Sequence, residues 1–285
     1  MKTKTRSKFW AKTIPVLLTA LLFLTACQKP LTKAEKEEQA KETVTFFFHG
    51  YGSSINAEKH MANAARQAGK SNEVLEARVE ENGSVKIKGK LADNPKNPIV
   101  LVGFSDNRNP DYHKDGWYAY KAVKAAQKKL GFSKMNLVGH SMGNMAISYM
   151  IMDYSAKKNF PTIKKQVDIA GHFNGIVGME KDSPIDSAGK PKKMNSTYQE
   201  LTKLRKVYPK GIDVLNIYGD TGKKSDGSVY NNSSRSLKYL LIKAKSYKEV
   251  KITGKGGQHS RLHENSQVDQ ALQKFLWEVS SCKNI

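Results

Sequence analysis

The sequence is poor in cysteine, in acidic residues and in long apolar stretches. It has 285 residues but only two cysteines, Cys27 and Cys282, which is too few for a framework of disulfide bonds. It has no compositional repeat and no second long apolar run, which excludes a collagen-like chain, a coiled coil and a polytopic membrane protein. Hydrophobic residues still make up 39%, enough to build a core and to argue against general disorder.

The shortage of acids leaves 48 Lys and Arg against 26 Asp and Glu, a formal net charge of +22. A charge of this size first suggests a protein that binds nucleic acid. However, the sequence contains no recognised nucleic-acid module, and its lysines are dispersed over predicted helix faces and loops, as on a solvated surface. We therefore expect no nucleic-acid partner, but a basic surface suited to an anionic environment.

The first 27 residues have the pattern of an export signal. Basic residues are spread over positions 2–12, and the apolar run from Ile14 to Leu24 that follows is too short for a comfortable membrane span. The run closes as Leu24-Thr25-Ala26-Cys27, which resembles the lipobox of bacterial lipoproteins. That resemblance implies cleavage before Cys27, lipid attached to its sulfur, and a protein anchored in the cell membrane on the extracytoplasmic face. The alternatives are an ordinary signal peptide and an N-terminal anchor helix.

Residues 27–42 separate this leader, residues 1–26, from the folded part of the chain. They are polar, highly charged and free of aromatic residues, which predicts a solvated tether behind the lipid-carrying Cys27. With Cys27 used for anchoring, Cys282 is left unpaired, and we expect it to have no catalytic role. Residues 43–285 then form one domain, which we expect to be monomeric.

From Thr43 onwards, segments typical of strands alternate with segments typical of helices. Runs of β-branched and apolar residues predict strands, and Asn82-Gly83 predicts a hairpin turn. The predicted strands cover residues 43–48, 74–79, 85–91, 98–104, 135–138, 166–170, 212–218 and 248–253. Apolar residues at helical spacing predict helices over residues 56–69, 115–131, 144–154, 233–244 and 267–280.

This alternation predicts an α/β fold with a mostly parallel central sheet and helices on both faces. Residues 175–210 are too many for an ordinary connection between two strands, so we expect them to form a lid-like insertion. Apolar residues in it favour an entrance for acyl esters, whereas lysines favour anionic substrates. The apolar set is Ile176, Val177, Met179 and Ile185, and the basic set is Lys190, Lys192 and Lys193.

The motif that carries chemistry is Gly139-His140-Ser141-Met142-Gly143. It lies between the predicted strand 135–138 and the predicted helix 144–154, the setting in which G-x-S-x-G presents a nucleophilic serine. The turn is so tight that residues larger than glycine would clash, and it exposes the serine hydroxyl above the edge of the sheet. Ser141 is therefore the candidate nucleophile, and we expect His140 to be a packing residue.

With three further segments, this motif resembles the α/β-hydrolase superfamily, and within it a bacterial family of often exported hydrolases. The resemblance spans nearly all of residues 43–280. It is carried by Phe48-His49-Gly50-Tyr51-Gly52, by residues 139–143, by Ser225-Asp226-Gly227-Ser228-Val229 and by residues 259–265. It implies the α/β-hydrolase fold and a Ser-Asp-His triad in that chain order, an order that this sequence keeps.

Two histidines compete for the role of catalytic base. A serine hydroxyl becomes a good nucleophile only when a histidine takes its proton, and a buried carboxylate orients that histidine. The superfamily pattern implies the histidine that follows the last strand. We therefore favour His259 over His263, which lies four residues further on and nearer to the next helix.

Two aspartates compete for the role of triad acid. Asp220 directly follows the predicted strand 212–218. Asp226 lies in a Ser-Asp-Gly sequence that resembles the acid loop of compact bacterial lipases. We favour Asp226 and expect Asp220 to cap its loop. Both lie on the same connection, so the predicted fold does not depend on the choice.

Acyl transfer also needs backbone N–H donors for the negative charge that develops on the carbonyl oxygen. Met142, the residue after the nucleophile, supplies one of them. His49-Gly50-Tyr51-Gly52 resembles the oxyanion loop of the family, which implies that the Tyr51 N–H is the second donor and that His49 holds the loop in place.

The sequence predicts no cofactor. His60, His113 and His172 do not have a metal-ligand spacing with acidic residues, and the glycine motifs that bind nucleotide phosphates are missing. We predict a serine hydrolase that cleaves an ester, thioester or related acyl bond of a small-molecule or lipid-like substrate through an acyl-enzyme. The alternative is a non-catalytic surface lipoprotein that uses a hydrolase scaffold to bind a ligand or an anionic polymer.

Overall fold

Eight strands form one sheet in the computed structural model, which describes residues 43–91 and 94–278. The strands are β1 (Thr43–Phe48), β2 (Val74–Val79), β3 (Val85–Lys88), β4 (Ile99–Phe104), β5 (Lys134–His140), β6 (Thr162–Ile169), β7 (Asp213–Asp220) and β8 (Ser246–Thr253). Their order across the sheet is β3-β2-β4-β1-β5-β6-β7-β8. The β2–β3 pair is antiparallel and the other neighbouring pairs are parallel. The predicted α/β class is confirmed.

Helices cover both faces of this sheet. They are α1 (Ile55–Gln67), α2 (Tyr112–Leu130), α3 (Met142–Tyr154), α4 (Ser196–Leu201), α5 (Leu204–Val207), α6 (Asn231–Arg235), α7 (Leu237–Leu240) and α8 (Ser266–Trp277). Helices α2 and α3 contribute to one apolar cluster, and α1 and α8 contribute to a second. Two 3-10 helices, Gly254–Gly257 and His259–Glu264, connect β8 to α8. No helix in the described residues has both the length and the apolar character that a membrane span requires.

The central strands β1 and β4 are buried along their whole length because both of their faces are covered. Every residue of β1 and β4 is buried, as is typical of strands inside a parallel sheet. On one face, α2 and α3 approach closely at Gly116, where an added Cβ would lie 2.8 Å from the backbone nitrogen of Met150. The absence of a side chain at this position lets the two helices pack together over the sheet.

The chain changes its direction across the sheet between β1 and β5. After β1 it forms β2, β3 and β4 on one side, and it then returns to place β5, β6, β7 and β8 on the other. β1 and β5 are nevertheless neighbours, with Phe48 paired to Gly139. In open α/β sheets, ligands bind at such a switch point, beyond the carboxyl ends of the strands. The loops that follow β1 and β5 meet there.

Several elements begin or end at other residues than predicted, and the prediction of one helix is wrong. β3 ends at Lys88 rather than at residue 91, and β6 begins at Thr162 rather than at residue 166. The predicted helix 233–244 is instead two short helices, α6 and α7, separated at Ser236. The Ser236 carbonyl accepts the hydroxyl of Tyr198 at 2.8 Å, and the Ser236 hydroxyl donates to the Ser233 carbonyl at 2.7 Å. These bonds replace part of the ladder of one longer helix.

The 175–210 insertion contains α4 and α5 and is bonded to the rest of the domain. Asn174 is one point of attachment, since its side-chain nitrogen donates to the Lys193 carbonyl at 2.9 Å and its side-chain oxygen accepts the Asn195 N–H at 3.1 Å. That it acts as a lid stays a prediction. The predicted signal peptide, the tether and both cysteines lie outside the described residues, as do residues 279–280 of the predicted closing helix.

Candidate active site

Ser141 lies on the sharp turn between β5 and α3. Its φ of 53° and ψ of −118° are a strained conformation for a residue with a side chain. A Cβ on Gly139 would lie 2.6 Å from Oδ1 of Asn144, and one on Gly143 would lie 2.1 Å from the Phe48 carbonyl oxygen. Only glycine fits at these two positions, so the local sequence allows the turn that lifts the Ser141 hydroxyl above the sheet.

Three side chains form a continuous hydrogen-bonded chain at this turn. His259 Nε2 lies 2.9 Å from Ser141 Oγ, and His259 Nδ1 lies 2.8 Å from Asp226 Oδ2. A carboxylate only accepts, so Nδ1 carries the proton and Nε2 is free to accept the hydroxyl proton of Ser141. The Asp226 side chain is 2% exposed and that of His259 is 12% exposed, so little water screens their interaction.

The Asp226 carboxylate is oriented by its own turn. Its Oδ1 accepts the N–H groups of Ser228 at 2.8 Å and Val229 at 2.7 Å, which leaves Oδ2 for His259. Asp220, the other candidate acid, lies at the end of β7, and its carboxylate contacts the Lys251 ammonium at 2.6 Å. The structure therefore brings Asp226, and not Asp220, to His259.

His140 separates the two candidate bases. Its ring centroid lies 5.0 Å from that of His259 and 4.9 Å from that of His263. His140 Nε2 donates to the His259 carbonyl at 3.1 Å. Burial, together with the neighbouring histidines, holds the pKa of His140 well below its usual value. His140 is thus neutral, and it positions His259 without opposing its protonation. The structure brings His259, and not His263, to Ser141.

The loop after β1 lies against the nucleophile. A Cβ on Gly50 would lie 3.2 Å from the Cβ of Ser141. Neither the Tyr51 N–H nor the Met142 N–H donates a hydrogen bond to another of the described residues. Met142 is the first residue of α3, where helix N–H groups are unpaired and the helix dipole is positive. Both predicted oxyanion donors are therefore available beside Ser141.

His49 ties this loop to β4. Its ring is fully buried, its Nδ1 donates to the Gly50 carbonyl at 2.8 Å, and its Nε2 accepts the Phe104 N–H at 3.1 Å. Burial lowers the pKa of His49, in agreement with this neutral form. His49 thus bridges the segment before Tyr51 and the neighbouring strand, which limits the movement of the loop.

His172 lies near His259 and is bonded to Tyr112, and no sequence motif indicated either His172 or Tyr112. His172 Nε2 lies 3.2 Å from the Tyr112 hydroxyl, and burial, with the nearby charge of His259, lowers the pKa of His172 to about 4. A signal was present, since His172 follows the end of β6 just as Ser141 follows the end of β5. Within the described residues, no group of three or more His, Cys, Asp or Glu is arranged to hold a metal ion.

The apolar start of the 175–210 insertion lies beside the acid turn. The Val177 N–H donates to the Ser228 carbonyl at 2.8 Å, and the Ser233 hydroxyl donates to the Gly175 carbonyl at 2.8 Å. Val177 is half-buried, whereas the Met179 side chain is 78% exposed. The insertion therefore places apolar side chains against Ser228, which follows Asp226 by two residues in the chain.

The fold, with a strained serine turn at the switch point of its sheet, defines the class of α/β hydrolases. The chain belongs to the family described as "Alpha/beta hydrolase of unknown function (DUF915)", whose model matches residues 32–279.

Solved structures share this architecture. The chain is similar to the lin2722 gene product of Listeria innocua, with 26% identity and a TM-score of 0.73, covering 85% of this chain and 96% of that one. Its fold also resembles that of a protein from Lactobacillus plantarum WCFS1 described as a cell surface hydrolase. There the identity is 23% and the TM-score 0.67, covering 83% of this chain and 90% of that one. A comparison of the sequence with curated proteins finds no match.

Proposed function

We propose that this protein is a serine hydrolase that cleaves an ester or a related acyl bond through an acyl-enzyme. The observation that carries this proposal is the chain of hydrogen bonds from Ser141 through His259 to Asp226, with distances of 2.9 and 2.8 Å. Ser141 is the nucleophile, His259 is the general base and then the general acid, and Asp226 orients His259 and stabilises its protonated form.

In the first half of the reaction, Ser141 Oγ attacks the acyl carbon while its proton passes to His259 Nε2. The carbonyl oxygen becomes an oxyanion that accepts hydrogen bonds from the Tyr51 and Met142 N–H groups. The bond to the leaving oxygen then breaks, and that oxygen takes the proton from His259 and departs as an alcohol. The acyl group remains on Ser141.

In the second half, a water molecule attacks the acyl carbon and gives its proton to His259 Nε2. The same two N–H groups hold the second oxyanion. The bond to Ser141 Oγ breaks, Oγ recovers the proton from His259, and a carboxylic acid leaves. Neutral His140 and His172 suit both halves, since a second positive charge near His259 would oppose its protonation.

We propose that the substrate is an acyl compound with an apolar part, and that the enzyme acts at the outer face of the cell membrane. The apolar start of the insertion at residues 176–179, beside the acid turn, supports the first statement. The resemblance of residues 24–27 to a lipobox supports the second, with a lipid on Cys27 as the anchor.

A fluorophosphonate probe, which labels activated serines, tests the chemistry. We expect the wild type to be labelled and Ser141→Ala to be unlabelled. Hydrolysis of p-nitrophenyl esters by that variant should fall by about 10³-fold or more. Ser148→Ala is the matched control, because Ser148 is a buried serine of α3 whose hydroxyl has no hydrogen-bond partner among the described residues.

Persistent labelling of Ser141→Ala would contradict the assignment of Ser141 as the nucleophile. An unlabelled wild type without esterase activity would contradict the proposal and favour a non-catalytic binding role. Graded ester chain lengths, with peptide amides beside them, then define the substrate. For the anchor, metabolic labelling with a palmitate analogue should disappear in Cys27→Ala; labelling that remains contradicts the lipobox.

A further inference from the structure

A groove of about 410 Å³ lies between α2 and the turn of the β2–β3 hairpin. It shares no residue with the Ser141 site. Its lining consists of Gly83, Ser84, Val85, Tyr120, Lys121, Lys124, Ala125 and Lys128. Three of these residues are lysines, and none is acidic, so the groove has a single sign of charge.

The three lysines form one row along α2. Positions 121, 124 and 128 are three and four residues apart, which places them on the same helix face over about 10 Å. Lys121 Nζ lies 5.7 Å from the centre of the Trp117 ring, and Lys124 Nζ donates to the Asn159 carbonyl. Among the described residues, none of the three lies within ion-pair distance of a carboxylate. Three positive charges therefore stay uncompensated at the groove.

The sequence around α2 concentrates this charge. Between Asp115 and Asp153 the chain contains no acidic residue, although it contains lysines at 121, 124, 128, 129 and 134. Within α2 no acidic residue follows Asp115, so the helix face at the groove carries lysines only, a charge pattern that attracts anions.

The floor of the groove is apolar and aromatic rather than polar. Val85, Ala125 and Tyr120 contribute to it. The Tyr120 ring stacks on Tyr154 with centroids 4.4 Å apart, and Lys157 Nζ lies 5.5 Å from the Tyr154 ring. The apolar floor and the row of lysines thus continue toward a fourth lysine, Lys157. This arrangement suits a ligand in which carbon-rich and anionic units alternate.

We propose that this groove binds a linear polymer of phosphodiester-linked polyol or sugar units. The phosphates pair with Lys121, Lys124 and Lys128, and the C–H faces of the repeating units lie on Val85 and Tyr120. The three lysines lie in one line along α2, which matches a row of phosphates on one extended chain better than the two-dimensional surface of a bilayer. A nucleic acid would need an open ring for base stacking, and the Tyr120 ring already stacks on Tyr154.

The test measures binding of fluorescently labelled poly(glycerol phosphate) to the purified protein by anisotropy, at several salt concentrations. With three phosphates neutralised, the logarithm of the affinity should fall against the logarithm of salt concentration with a slope of about −2. The variant Lys121→Gln/Lys124→Gln/Lys128→Gln should bind at least 10-fold more weakly and lose most of that slope. The corresponding triple Lys→Arg variant should keep both the affinity and the salt dependence of the wild type.

The matched control removes the same charge elsewhere, with Arg66→Gln on α1, Lys248→Gln on β8 and Lys274→Gln on α8, all exposed residues. We expect it to bind less than 3-fold more weakly. Equal losses in both triple variants, or no loss in the groove variant, would overturn the proposal.

Anionic vesicles and single-stranded DNA are the competing ligands. If the groove variant loses binding to either of them but not to poly(glycerol phosphate), the proposal is also overturned. If the triple variant does not fold, Lys128→Glu takes its place, because the Lys128 side chain has no partner among the described residues. It should bind poly(glycerol phosphate) more weakly than the wild type does. Ester hydrolysis should be unchanged in every variant, so the outcome is independent of the proposed catalysis.

Discussion

Two aspartates, Asp220 at the end of β7 and Asp226 on the connection that follows it, are held in the same way but have different partners. In each, Oδ1 accepts two backbone N–H groups a few residues further along the chain. The donors are Gly222 and Lys224 for Asp220, and Ser228 and Val229 for Asp226. Aspartate commonly organises turns in this manner, so local sequence explains this half of each arrangement.

The difference lies in the second carboxylate oxygen. Oδ2 of Asp226 lies 2.8 Å from His259, whereas Oδ2 of Asp220 accepts the Asn231 amide at 2.9 Å and contacts Lys251 at 2.6 Å. One aspartate thus orients the candidate base, and the other ties its turn to α6 and β8. The two turns bind Oδ1 in the same way, so the segment that faces Oδ2 decides the role of each aspartate.

Asp226→Asn should have the largest effect. The Asn oxygen can still accept the two backbone N–H groups, but its NH₂ would donate to His259 Nδ1 and force the proton onto Nε2. His259 then cannot accept the Ser141 proton, and kcat/KM should fall by about 10⁴-fold with little change in melting temperature. Kinetics with an activated ester, beside a thermal melt, check this. A loss below 10-fold would mean that Asp226 is not the triad acid.

Gly219→Ala should cause the second largest loss of activity. An added Cβ would lie 1.9 Å from the Gly257 carbonyl oxygen and 3.0 Å from the Asp226 Cβ. The loops that carry Asp226 and His259 would be pushed apart, and we expect activity to fall by about 10² while stability also falls. Gly222→Ala is the control, since a Cβ there meets no atom within 4 Å although its φ is +100°. Equal activity losses in both variants would show that backbone strain, not loop separation, is responsible.

Asp220→Asn should have the opposite result to Asp226→Asn, with a loss of stability and little loss of activity. It replaces an acceptor of the buried Asn231 amide by a donor and removes the contact with Lys251. We expect activity to change by less than about 5-fold and stability to fall by about 1 kcal/mol. Chemical denaturation and ester kinetics measure the two quantities. A turnover loss of several orders of magnitude would instead make Asp220 the acid.

The smallest effect concerns acid stability. The hydrogen bond from Lys251 holds the pKa of Asp220 below its usual value, against the opposing effect of burial. An acid with a lower pKa in the folded state stabilises the protein above its unfolded pKa, about 3.9, and loses this contribution as pH falls through the folded pKa. The stability gap between wild type and Asp220→Asn should therefore be full at neutral pH and close below about pH 4. A gap that does not change with pH contradicts the assignment.

The turn at Ser141 and most of the strands could be predicted from the sequence because their causes are local. Gly139 and Gly143 are the residues that such a turn needs, and the continuous β-branched and aromatic run of β1 is the pattern of a strand covered on both faces. The helix predicted over 233–244 failed for a non-local reason, since Ser236 bonds to Tyr198 of the insertion.

For the site, the sequence by itself determined the nucleophile and reduced the base and the acid to pairs, His259 or His263 and Asp220 or Asp226. Only the tertiary structure decided which histidine meets Ser141 and which aspartate meets that histidine. It also added His172 and Tyr112 and aligned the lysines of α2 along one groove. The reason is distance along the chain. His259 lies 118 residues from Ser141 and 33 from Asp226, so no local pattern records their contact, and the packing of β5, β7 and β8 in one sheet creates it.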